Sequence, residues 1–243
     1  MSESEPTGAE FDRYAADYDA ALQQGLAVSG EGQSYFAERR ITWLAGKLRK
    51  HGYAVRTVLD YGCGTGASTP LLLQLLNAEE AVGTDISERS LEIARTRYAS
   101  ERVRFAGTDE LTSCFPVDLV YCNGVFHHIL PADRDAAIQS VVRALRPGGL
   151  FALWENNPLN PGTRYVMRRI PFDRAAVTLR AGAAANLVLN GGLEVIGIDF
   201  LFIFPRPFAL LRFLEPWLTR LPIGAQYQIL CRKRVHPDFH DKL

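Results

Sequence analysis

At the start of the chain the apolar residues recur at helical spacing. Phe11, Tyr14, Ala15 and Tyr18 predict a helix over Glu10–Leu22, and Phe36, Ile41, Trp43, Leu44 and Leu48 predict a second over Gln33–Lys50. From Ala54 the rhythm changes. Short apolar runs at Ala54–Tyr61, Ala78–Asp85, Arg102–Asp109, Val117–Asn123 and Leu150–Asn156 predict buried strands. They alternate with helical stretches at Gly66–Asn77, Glu88–Ala99 and Pro131–Leu145. Ser87 stands as the N-cap of the second of these, and Arg146-Pro147-Gly148-Gly149 stops the third. Such alternation, with strands that are apolar throughout, predicts a parallel sheet covered on both faces.

The last third departs from this winding. A helix is predicted over Asp173–Gly192, a long strand over Leu193–Phe204, a helix kinked at Pro216 over Arg206–Leu221, and a final strand over Ala225–Arg234. The final strand-to-strand connection suits an antiparallel pair at the sheet edge. The predicted fold class is therefore α/β: a Rossmann-like mixed seven-stranded sheet with helices on both faces and the last strand antiparallel.

Composition narrows the function classes. The chain has 243 residues, 47% of them apolar and 22% charged, with 27 basic and 27 acidic side chains. This suits one large α/β domain, and zero net charge argues against a nucleic-acid partner. The Asn156-Asn157-Pro158 run follows the wrong strand to be a base-modifying motif. The 4 cysteines and 5 histidines show no C-x-x-C pair and no metal-ligand spacing, so no metal is expected and a reduced, cytoplasmic setting is. The acidic, polar start lacks a leader pattern, and no apolar run is uninterrupted enough to cross a bilayer.

The chemistry is concentrated in "VLDYGCGTGAST" and "VGTDIS". Read as Gly62-x-Gly64-x-x-Ala67 with Asp85 downstream, the pattern suits a dinucleotide. Asp60 decides against it. A pyrophosphate at the glycine loop would be repelled by an acid ending the first strand, where the effective dielectric is low. S-adenosylmethionine carries no phosphate, and its ammonium and sulfonium are both attracted by that acid. Gly62, Gly64 and Gly66 allow close backbone approach, and Asp85 ends the next strand, where ribose hydroxyls can be held.

From Phe11 to about Glu155 the chain resembles the class I S-adenosylmethionine-dependent methyltransferases, most of all their metal-independent small-molecule branch. The resemblance rests on "FDRYAADYD", "VLDYGCGTG", "GTDIS", "GTDE", "CNGVFHHI" and "LRPGGLFAL" in this order. It implies that Asp60, Gly62, Cys63, Gly64 and Gly66 line the methionine end. Asp85 would hold the ribose, Ile86 would pack on the adenine, and Thr108 and Asp109 would meet its edge. Asn123 and Gly124 would lie at the sulfonium, with Tyr14 and Tyr18 closing over the cofactor and Arg13 near its carboxylate.

Methyl transfer to a hydroxyl needs positioning and a base. The resemblance implies His127 as base, His128 as the fallback, and Glu155 orienting the imidazole. Asn156, Asn157, Arg164 and Tyr165 are expected on the acceptor side, with Arg168, Arg169 and Arg174 as further anion-binding candidates. Phe208, Leu210, Leu211, Leu214, Trp217, Leu218 and Leu221 form an apolar stripe. It suits core packing, a dimer contact, or a lipid contact through residues 206–221.

The expected function is methylation of a small molecule, most of all at a hydroxyl of a sugar, polyketide-like or lipid-linked acceptor. The alternatives are carbon methylation of a quinone-like ring, a non-catalytic binder of the same cofactor, and a nicotinamide-dependent oxidoreductase. One methyltransferase domain accounts for residues 1–243. Its parts are a disordered tail (1–9), a helical cap (10–50), the cofactor-binding core (51–155), a substrate-side insertion (156–190) and a strand–helix–strand end (191–234), in a monomer or homodimer.

Overall fold

The structure is a computed structural model that describes residues 12–13, 15, 18–108 and 116–235. Its strands are β1 Thr57–Tyr61, β2 Glu80–Asp85, β3 Val103–Gly107, β4 Val117–Asn123, β5 Leu145–Asn156, β6 Leu193–Leu201 and β7 Gln226–Lys233. They form one 7-stranded sheet in the order β3-β2-β1-β4-β5-β7-β6. β1 to β5 pair in parallel, and β7 runs antiparallel to both β5 and β6, as expected.

The helices are α1 Tyr18–Leu26, α2 Gln33–Lys50, α3 Thr69–Leu75, α4 Glu88–Tyr98, α5 Arg134–Ala144, α6 Pro161–Met167, α7 Ala181–Asn190 and α8 Glu215–Leu218. Both sheet faces are buried because successive side chains of each strand point to opposite sides. Leu59, Tyr61, Val120, Cys122 and Phe151 pack with Ile138 and Val141 of α5 and Val188 of α7. Val58, Leu119, Tyr121 and Trp154 pack with Ile41, Leu44 and Leu48 of α2 and Leu72 of α3. Ser87 caps α4 as read from the sequence, its hydroxyl accepting from Ser90 N–H at 3.1 Å.

Strand order reverses beside β1, which has β2 on one side and β4 on the other. At such a switch point the two following connections diverge and leave a crevice at the strands' carboxyl ends. The glycine loop after β1 and the histidine loop after β4 both open there.

Three expectations in the last third are corrected. The helix predicted over Asp173–Gly192 begins only at Ala181. Before it, Val177 N–H donates to His127 C=O at 2.8 Å and Arg134 Nη2 donates to Val177 C=O at 2.5 Å, so long-range partners take the backbone groups a helix would use. β6 stops at Leu201 because Phe202 adopts a left-handed φ of 61°. The segment predicted as one helix over Arg206–Leu221 is a 3₁₀ stretch, Arg206–Leu214, interrupted at Phe208 and followed by the short α8. Pro207 and Pro216 each remove an N–H donor from it. Its apolar residues turn outward: Leu210 is 90% and Trp217 74% exposed, so core packing is overturned for both. Among the described residues no helix is long and apolar enough to cross a membrane.

The bend after β6 is held by one buried carboxylate. Glu215 accepts from Ile203 N–H at 3.0 Å and Phe204 N–H at 3.1 Å. Glu215→Ala is expected to lower unfolding stability by roughly 1–2 kcal/mol, measured by urea denaturation, because two half-buried amides lose a charged acceptor. An unchanged midpoint would show that the bend holds itself.

Candidate active site

The glycine loop is tied to β2 before any ligand arrives. Gly62 and Cys63 N–H both donate to Thr84 C=O, at 2.8 and 2.9 Å. Asp85 accepts from Gly64 N–H at 2.8 Å through one oxygen and from Ser87 N–H at 2.9 Å through the other. Asp85 is therefore a clamp between two loops as well as a candidate ribose partner, since each oxygen keeps further acceptor capacity. Gly62 has φ 73°, and a Cβ there would lie 2.3 Å from Val125. At Gly64 a Cβ would meet nothing within 4 Å, which leaves the loop's outer side open to a ligand. Gly66 differs from its expected role. A Cβ there would strike Ala94 and Phe105, so this glycine seats the loop on α4 and β3.

Two cavities border the loop and a third lies beyond Asn123. One of about 900 Å³ is lined by Gly62, Gly64, Asp85, Ile86, Thr108, Asn123, Gly124 and His128. A second of about 700 Å³ is lined by Asp60, Gly62, Cys63, Gly64, Thr65, Arg40 and Asn123. A third of about 460 Å³ is lined by Asn123, Gly124, His127, His128, Asn156, Asp173 and a largely apolar wall. Asn123 borders all three, and its Oδ1 is buried with no hydrogen-bond partner among the described residues. Tyr14, the Tyr18 side chain and Asp109 lie outside the described residues, and Arg13 is exposed.

Glu155 and His127 meet as expected. His127 Nδ1 lies 2.6 Å from Glu155 Oε2, and Glu155 Oε1 accepts from Phe126 N–H at 2.8 Å. Asp173, from the loop before α7, was not anticipated. Its Oδ1 lies 3.5 Å from His127 Nε2 and 3.3 Å from His128 Nε2. No local pattern marks Asp173, because only folding of the 156–190 segment carries it to the histidines. The two carboxylates outweigh burial and push His127 up to about 10, while burial and the charge of His127 push His128 down. With both ring nitrogens facing carboxylates, His127 in this arrangement keeps its proton.

The acceptor-side expectations divide. Asn156 lines the 460 Å³ cavity and accepts from Gln226 Nε2 at 3.1 Å. Asn157 is buried, and its amide donates to Pro222 and Gly224 C=O at 3.0 and 2.8 Å, a structural staple. Arg164 and Tyr165 point to solvent, with Arg169 stacked 4.5 Å from the Tyr165 ring centre. α6 turns Thr163, Val166 and Met167 toward the cavity instead. Arg40, not anticipated, is buried between the 700 and 460 Å³ cavities. It donates to Tyr121 Oη at 3.3 Å and Gln226 Oε1 at 3.0 Å, both neutral.

Residues 58–149 match the family described as a methyltransferase domain. This segment, less than half of the chain, resembles a methyltransferase domain. The chain is 32% identical over 131 residues to the trans-aconitate 2-methyltransferase of Azoarcus sp. (strain BH72), which covers 54% of this chain and 51% of that protein. It is 31% identical over 118 residues to that of Rhodopseudomonas palustris (strain BisB18), covering 49% and 45%. The chain thus spans about half the length of the curated relatives it matches. Among solved structures, the [4+2]-cyclase SpnF superposes with a TM-score of 0.64 at 18% identity, covering 97% of this chain and 100% of that one. An S-adenosylmethionine-dependent methyltransferase from Mesorhizobium loti superposes with a TM-score of 0.55 at 20% identity, covering 77% and 96%. These likenesses establish the fold.

S-adenosylmethionine is the cofactor of this methyltransferase family, and the domain's residues fit it. Gly64, Asn123 and Asp60 near the end of β1 line one continuous crevice. Asp60 is 2% exposed and accepts from Thr69 Oγ1 at 2.8 Å. Burial pushes its carboxyl up to about 7, with the Thr69 bond opposing. An ammonium arriving beside Asp60 would favour the ionised form, so binding there is expected to draw off a proton and affinity to rise with pH. S-adenosylhomocysteine affinity, measured by calorimetry, is expected to increase from about pH 6 to about pH 8 and then level. Thr69→Val should move that rise to higher pH. A flat profile would remove Asp60 from the ammonium site.

Proposed function

We propose that this chain binds S-adenosylmethionine and methylates an oxygen of a small, apolar-bodied acceptor held in the 460 Å³ cavity. The observation that carries the reading is the convergence of the three cavities at Asn123, with the methyltransferase loops on one side and the histidine cluster on the other. When bound, the cofactor supplies an electrophilic methyl group on a cationic sulfur.

The chain's own residues do the rest. Asp60 faces the ammonium, Asp85 and Ile86 the adenosine, and Asn123 Oδ1 the region between cofactor and acceptor. Loop 124–128 is held rigid from two sides, because Glu155 grips Phe126 N–H and Arg134 Nε donates to the carbonyls of Phe126 and Ile129 at 3.1 and 3.0 Å. That rigidity serves a reaction controlled by approach geometry. Leu22, Leu26, Phe36, Met167, Ile170 and Phe202 line the acceptor cavity and suit a polyketide-like or lipid-linked body better than a sugar, whose hydroxyls they cannot satisfy. Arg212 is already paired with Glu31 at 2.9 Å. Arg40 meets only neutral partners in its hydrogen bonds, so it suits an acceptor carboxylate, in keeping with relatives named for trans-aconitate.

A second reading is favoured by the likeness to a protein named as a cyclase: a catalyst that keeps the pocket without transferring methyl. Two measurements separate them. S-adenosylhomocysteine is expected to bind the wild type, with at least about tenfold weaker binding by Asp60→Asn and none of NAD(H). With S-adenosylmethionine, a panel of apolar phenols, apolar carboxylic acids and trans-aconitate should form S-adenosylhomocysteine from the apolar members first. Turnover of trans-aconitate alone would overturn the apolar acceptor, and binding without turnover of any panel member would favour the second reading.

A further inference from the structure

His127, His128 and Asp173 are placed as ligands of one ion. Their candidate donor atoms all lie within 4.8 Å of one another, and their side chains are 3%, 15% and 6% exposed. The distances separate a hydrogen bond from a coordination edge. Glu155 Oε2 sits 2.6 Å from His127 Nδ1, the length of a charge-assisted hydrogen bond. Asp173 Oδ1 sits 3.5 Å from Nε2 of the same ring and 3.3 Å from Nε2 of the next, longer than such a bond. Ligands about 2.0–2.1 Å from a tetrahedral ion stand roughly 3.4 Å apart. We propose that His127 Nε2, His128 Nε2 and Asp173 Oδ1 form a divalent-cation site of the zinc class, the arriving ion displacing the proton from His127 Nε2 to solvent, with a fourth position open to the acceptor cavity.

The surroundings are those of a built site. Glu155, with no solvent exposure, takes the far nitrogen of His127, as a carboxylate commonly does behind a metal-bound imidazole. Val177 N–H holds His127 C=O, joining the histidine loop to the segment that carries Asp173. Two imidazoles and one carboxylate suit zinc-class ions better than magnesium or calcium. All three residues line the 460 Å³ cavity, so the open position faces the proposed acceptor oxygen. This role rests on the methyltransferase reading; the site itself does not.

The test uses the full chain stripped with a chelator and titrated with Co²⁺, read by visible absorption, with Zn²⁺ as competitor. The proposal expects one Co²⁺ per chain with a tetrahedral spectrum, displaced by Zn²⁺. It also expects at least about tenfold weaker binding in Asp173→Asn and His128→Gln, and a 10–100-fold loss in Glu155→Gln. No saturable binding by the wild type, or binding unchanged in a folded Asp173→Asn, would overturn it. S-adenosylhomocysteine titrated into the same samples keeps the two readings apart. Cobalt binding without it leaves the metal site and removes the methyltransferase reading, and the reverse removes the metal site alone.

Discussion

A carboxylate shut away from water must be met by donors, and the one on Glu155 organises the site around that requirement. It stands near the end of β5, opposite β7 on one side and the loop after β4 on the other. Its two oxygens are met by Phe126 N–H and His127 Nδ1. That pair of bonds sets how the β4 loop turns, which sets where His128 points and where Asp173 can approach. Remove the carboxylate and the loop has no reason to hold its two histidines against a third element. Arg134 completes the arrangement from α5, reaching the carbonyls of Phe126, Ile129 and Val177.

Two further acids at the crevice show how environment gives one residue type different work. Asp85 receives backbone N–H groups on both oxygens and so joins the β1 and β2 loops. Among the described residues Asp60 accepts only from Thr69 Oγ1 and is otherwise buried, which leaves a carboxyl poised to respond to an arriving cation. Both are strand-terminal aspartates. The difference lies in how many donors the fold brings to each.

The acceptor cavity has a separate origin from the cofactor crevice. Asn123, Gly124, His127 and His128 come from the matched segment 58–149, and most of the rest of its walls from α1, α2, α6, the stretch before α7 and the bend after β6. The cofactor side lies mostly within the matched segment, whereas most of the acceptor side lies outside it. The same division explains why structures of this fold carry different names: the crevice comes with the fold, and the chemistry depends on what encloses it.

The sequence alone determined the sheet, the order of its elements, and the gathering of Asp60, Gly62, Gly64, Asp85 and Asn123 around adjoining cavities. Those features are local: strand periodicity, glycine-loop chemistry and an N-cap each need only a few consecutive residues. Val117–Asn123 and Gln33–Lys50 were predicted to the residue for that reason. Tertiary structure alone decided that Gly66 packs on α4 and β3, that Asn157 and Arg164 leave the cavity, and that Arg40 enters it. It also decided that Leu210 and Trp217 face outward and that Asp173 joins the histidines. Each of these depends on contacts between segments far apart in the chain. Those contacts arise from burying the two sheet faces at once, so no window of sequence contains the information that sets them.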